Sequence, residues 1–134
     1  MSVPQDSEAF GCERCCPPSA EAAWEARSEL TRVADLIHES HFIVTVAACA
    51  GCAQHFVSVF TETLDWVAGN DPQEWTLLPV LPGEVQALLA QGAALDEHAL
   101  EALGPVRRSL RRSSPNDSPT ETYWSCGLRV GWHD

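Results

Sequence analysis

Phe42-Ile-Val-Thr-Val-Ala-Ala-Cys49-Ala-Gly-Cys52-Ala-Gln-His-Phe56-Val-Ser-Val-Phe-Thr-Glu62 is the stretch on which the fold turns. Phe42 to Ala48 is rich in β-branched and aromatic residues and reads as a strand; Phe56 to Glu62 reads as a second. Cys49-Ala-Gly-Cys52 lies between them, so the pair predicts a hairpin with a CxxC at its tip. Two cysteines separated by two residues on a tight turn place both sulfurs on one side of the backbone. Turn amides point at the same spot and offset thiolate charge, which makes half of a tetrahedral zinc site.

A second half is available upstream in Cys12-Glu-Arg-Cys15-Cys16-Pro-Pro. Cys12 and Cys15 supply it, with Cys16 as the alternative to Cys15. Between Cys15 and Cys49 lie 33 residues, more than the common spacing of about 15–20 between such pairs. His55, three residues past Cys52, is the best substitute ligand if the N-terminal pair does not take part. His133 is a further candidate, and sites of three cysteines and one histidine, or two and two, stay open. Cys126, within Trp124-Ser-Cys126-Gly, reads as a small buried apolar residue.

The stretch from Val46 to Phe56 resembles the knuckle of rubredoxin-like and zinc-ribbon proteins. In those, a CxxC turn joins two strands and a small residue, often Gly, follows the second cysteine; here Ala53 takes that place. The resemblance covers roughly twenty residues. It implies a structural zinc, because four thiolates leave no open position for water. CERCCPP departs from it by lacking the glycine and flanking strands of a second knuckle. A thioredoxin-like redox pair is the alternative for Cys49 and Cys52. That chemistry belongs at a helix N-terminus, whereas the residues after Cys52 are strand-like.

Working outward, residues 1–18 read as an irregular cysteine-containing arm and 19–134 as one α+β domain. Ser19 caps a helix in which Ala23, Ala26, Leu30, Val33 and Ile37 recur at helical spacing. The periodicity predicts one long amphipathic helix over 20–39. A third short strand is expected at Trp75 to Leu78. Pro82 opens a helix that closes at Gly92, and Asp96 caps a shorter one running to Leu103. Another helical turn is expected after Gly104-Pro105, and a last strand within Thr122 to Trp132. The expected architecture is a small antiparallel sheet bearing a zinc-knuckle hairpin, with one long N-terminal helix and two shorter C-terminal ones.

Composition narrows the function. The chain has 134 residues, 45% of them apolar, and a formal net charge of −11. That is enough for one domain with a core. All eight basic residues are Arg, which excludes Schiff-base and P-loop lysine chemistry. The acidic balance argues against general nucleic-acid binding. Charge is uneven: residues 1–104 hold 3 Arg and 16 acids, and Arg107, Arg108, Arg111 and Arg112 crowd into the remainder. These four read first as a solvated helix face, and second as a docking patch for an acidic partner or a nucleic-acid backbone.

The first ten residues carry Asp6 and Glu8 and no basic residue, unlike a secretory signal. The apolar run Phe42 to Ala53 is too short to span a bilayer. A cytoplasmic location is therefore expected, where reduced thiols favour metal or redox chemistry over disulfides. His38-Glu39-Ser40-His41 has the wrong spacing for a metalloprotease helix, and there is no GxSxG and no phosphate loop.

The segment from Glu62 to Trp75 mixes acids, amides and two tryptophans. Asp65, Trp66, Asp71 and Trp75 are its candidate partner or substrate contacts. Either Glu62, Asp65 or Asp71 could serve as base in an enzyme with an open zinc site. The reading reached from sequence is a small zinc protein, Cys12, Cys15, Cys49 and Cys52 as ligands, acting as a protein-binding or regulatory module. A small zinc- or dithiol-dependent enzyme is the alternative.

Overall fold

A computed structural model describes residues 10–64, 71–115, 118–131 and 133. Among these residues, six strands form one antiparallel sheet in sequence order: β1 (Thr31–Glu39), β2 (Phe42–Ala48), β3 (His55–Glu62), β4 (Gln73–Val80), β5 (Arg108–Ser114) and β6 (Glu121–Cys126). Three helices accompany it: α1 (Ala20–Ala26) before the sheet, and α2 (Pro82–Gln91) and α3 (Glu97–Glu101) between β4 and β5. Among the described residues, no helix is long and apolar enough to cross a membrane.

The expected long N-terminal helix is overturned. After α1 the chain makes a short 3-10 turn over Arg27–Glu29 and enters β1. Ser19 does cap the start, accepting from the Ala22 amide at 3.2 Å. The helical spacing downstream has another origin. Nine residues of β1 run against seven of β2, with irregularities between Arg32 and Ala34 and between Asp35 and Ile37. Each extra residue interrupts the alternation. Ala34 and Ile37, three apart, therefore both oppose the inward-facing β2 residues Val46 and Val44. A doubly bulged edge strand thus imitates helical periodicity.

The C-terminal third is also sheet. Residues expected as a helical turn after Pro105 enter β5, and the two shorter helices lie in the interior of the chain. The arginine cluster is consequently not a helix face. Arg107 is buried just before β5, while Arg108 and Arg112 alternate with Arg111 along the strand. Cys126, expected inside, is exposed at the end of β6.

Each face of the sheet buries its own cluster. On one, Val44, Val46, Val57, Val59, Leu78 and Val80 pack under Val85 and Leu88 of α2 and Leu95 and Leu100 nearby. Gly127 (φ +70) turns the chain back after β6, where a Cβ would meet the Pro105 carbonyl oxygen at 3.0 Å; Leu128 then joins this cluster. On the other face, Phe56, Leu77 and Leu110 meet Ala23, Cys15 and Cys49. Thus α1 and the N-terminal arm close the second core.

Candidate metal centre

The β2–β3 connection is a tight turn. The Cys49 amide donates to the Gln54 carbonyl at 2.9 Å, and the Ala53 amide returns to the Cys49 carbonyl at 2.8 Å. Closing it requires a left-handed residue, and Ala53 supplies it at φ +67. Gly51 donates its amide to Cys49 Sγ at 3.3 Å. In the arm, the Cys16 amide donates to the Cys12 carbonyl at 2.7 Å, folding Cys12 to Cys16 into one turn. The Cys12 amide lies 3.3 Å from Cys15 Sγ.

Two contacts bring the halves together. Gln54 accepts from the Gly11 amide at 3.0 Å through its side-chain oxygen, and its amide nitrogen donates to the His55 and Val80 carbonyls. Further on, the Trp124 indole donates to the Pro18 carbonyl at 2.9 Å. Sequence reasoning missed both, because a glutamine and a tryptophan carry no signal of which distant carbonyl or amide they will meet.

The result is a cluster of four sulfurs. Cys12 and Cys15 are 3.8 Å apart, Cys12 and Cys49 3.9 Å, and Cys15 and Cys52 3.7 Å. All four sulfurs lie within 4.8 Å of one another. A tetrahedron of thiolates about 2.3 Å from a central zinc has edges of about 3.8 Å. The cluster therefore has the size and donor set of a metal site. Of the adjacent pair in the arm, Cys15 faces it. Cys16 lies beside an apolar patch formed by Phe10, Ala23, Phe56 and Trp124.

Electrostatics fit the same reading. Hydrogen bonds to the backbone of Cys15 and Arg14 bring the Cys12 thiol down to about 7. Burial pushes the Cys15 thiol up. Four sulfurs this close cannot all ionise unaided, since like charges oppose one another. A divalent cation in their midst deprotonates them together.

The remaining candidates lie elsewhere. His55 begins β3 and is outside the cluster, and His133 stacks on Phe42 at 4.3 Å and lies 3.2 Å from Glu97. Asp65 and Trp66 fall outside the described residues. Asp71 precedes β4, and Trp75 packs edge-on against Trp24 at 5.4 Å and beside Phe60. Glu62 is held by the Gln73 amide at 2.8 Å and by His41 at 3.1 Å, and these bonds keep its carboxyl below the ordinary range.

Comparison with family models, with curated proteins and with solved structures finds no match for this chain.

Proposed function

We propose that Cys12, Cys15, Cys49 and Cys52 hold one zinc ion in a closed structural site, and that the chain works as a zinc-stabilised binding or regulatory module. The observation that carries this reading is the sulfur spacing, which matches a tetrathiolate tetrahedron on three edges. Tetrahedral sulfur sites suit zinc or iron, and zinc adds no redox chemistry. The knuckle-like turn around Ala53 supports the likeness to zinc-ribbon and rubredoxin-like turns. Four protein ligands leave no position for a water nucleophile, which favours a structural role over metal-assisted catalysis. Half-buried Trp75 and Trp24 give the module aromatic surface of the kind used at binding hot spots.

Cobalt substitution separates the two roles. The protein reconstituted with Co(II) is expected to show an intense tetrahedral thiolate spectrum that azide and cyanide at millimolar concentration leave unchanged. An anion-sensitive spectrum would indicate an open coordination position and a catalytic metal.

A further inference from the structure

The face of the sheet that carries α1 is only partly covered. The helix contacts β5 and β6. Toward β1, Asp35, Thr45 and Ser58 stand abreast in register on the uncovered part. Between that part and the 3-10 turn lies a pocket of about 210 Å³, lined by Arg27, Arg32, Thr45 and Ser58 and floored by Ala47 and Leu77. Two guanidinium forks and two hydroxyls can donate to several oxygens at once, more than a carboxylate presents.

Among the described residues Arg27 is positioned without a counterion. Its guanidinium stacks on the Trp24 ring at 3.6 Å, and that of Arg112 lies 4.7 Å from the same ring. Neither makes an ion pair among the described residues. Arg27 Nε is buried with no hydrogen-bond partner. Burial and then the neighbouring Arg112 push the Arg27 guanidinium below its ordinary value. In a chain of net charge −11, adjacent unpaired arginines held by packing form a local exception to the overall sign. Among the described residues Arg32 pairs with Asp35, at 3.2 Å, in an exposed pair that costs little to open.

We propose that this pocket binds a small phosphate monoester, its phosphate held by Arg27, Arg32 and the hydroxyls of Thr45 and Ser58. In the next row of the same face, Ile43, Phe60 and Trp75 stand abreast and half-buried, offering an apolar neighbour to the ligand's organic part. The net negative charge disfavours a polyanionic strand, whereas one dianion is accommodated by local pairing. Asp35 acts as the built-in competitor, holding Arg32 until phosphate replaces it. None of this depends on which metal the cysteines hold.

The test is titration of the metal-loaded protein with inorganic phosphate, AMP and adenosine, followed by amide NMR. Phosphate and AMP are expected to shift the Thr45 and Ser58 amides saturably, and adenosine is not. Arg32→Gln, an exposed position, and Thr45→Val should each weaken AMP about tenfold. Asp35→Asn should tighten it severalfold, and Arg111→Gln, on the opposite face, should leave it unchanged. Absence of saturable shifts, shifts by adenosine equal to those by AMP, or AMP affinity unchanged in both Arg32→Gln and Thr45→Val would overturn the proposal.

Discussion

Stripping the metal with a chelator, or replacing Cys49 and Cys52 by Ser, is expected to release α1 and the arm from the sheet while leaving most strands in place. The two cores predict this split. The cluster under α2 and α3 contains no cysteine. The one under α1 includes Cys15 and Cys49 at its centre, with Cys12 and Cys16 packed against it. Without a cation, the arm keeps the bond from the Gly11 amide to Gln54, the bond from Trp124 to the Pro18 carbonyl, the exposed Arg14–Glu29 pair and buried Phe10 under the Arg107 guanidinium. Individual hydrogen bonds of this kind contribute about 1 kcal/mol each. A structural zinc contributes on the order of 10 kcal/mol of binding free energy, which is folding free energy here.

Far-UV circular dichroism should therefore keep its sheet signal. The near-UV signal of Trp24, Trp75 and Trp124 should collapse, and the α1 amides should exchange freely. Unchanged near-UV spectra and melting temperature in the metal-free protein would show that the cysteines do not organise this core.

The second large effect is expected at Arg107, which sits between β4 and β5 at the same end of the sheet as the cysteine turn. Its guanidinium donates to both carboxylate oxygens of Glu84, at 2.8 and 3.1 Å, and to the Pro79 carbonyl at 3.0 Å. Glu84 in turn accepts from the Leu81 amide at 2.8 Å, capping α2. One ion pair thus fixes α2, the end of β4 and the entrance to β5. Arg107 is buried and Glu84 half-buried, so removing Glu84 strands a buried charge, and removing Arg107 leaves a half-buried one and empties a packed site. Arg107→Ala is expected to cost about 3–5 kcal/mol in denaturant unfolding of the metal-loaded protein. Glu84→Gln/Arg107→Met should recover part of that loss, because it removes both charges and keeps most of the volume.

This pair also sets a pH dependence. Burial pushes the Glu84 carboxyl up, but Arg107 and the Leu81 amide outweigh it and hold it below the ordinary carboxylate range. A depressed carboxyl contributes stability that is present above its unfolded pKa, about 4.3, and lost as pH falls through the folded value. Wild type should therefore lose more stability than Glu84→Gln between about pH 5 and pH 3. Parallel pH profiles for the two proteins would contradict the assignment.

The hairpin was legible because its composition and its turn agree. β-branched and aromatic residues flank a CxxC, and β2 and β3 lie within one residue of the strands expected from that pattern. β1 was not legible, because its two bulges place Ala34 and Ile37 three residues apart, and a single sequence cannot distinguish that spacing from a helical face. β5 was hidden by its arginines. Arg108 over the Trp124 ring at 3.9 Å and Arg112 over Trp24 behave as half-buried planar groups rather than solvated charges.

The cysteines were legible as candidates from spacing alone. Which of Cys15 and Cys16 would face the cluster depends on the turn that returns the Cys16 amide to the Cys12 carbonyl, and that turn has no marked sequence signal. The pocket around Arg27 and Thr45 assembles residues from five elements, the 3-10 turn and β1 to β4, and nothing in their local sequence links them.

A zinc ion held by four thiolates has a distinctive signature in X-ray absorption at the zinc edge, recorded on protein purified without added metal. About one zinc per chain is expected, with four sulfur scatterers at about 2.3 Å and no nitrogen or oxygen neighbour. Metal-free protein with its near-UV spectrum intact, or zinc with two or more light scatterers in its first sphere, would contradict it.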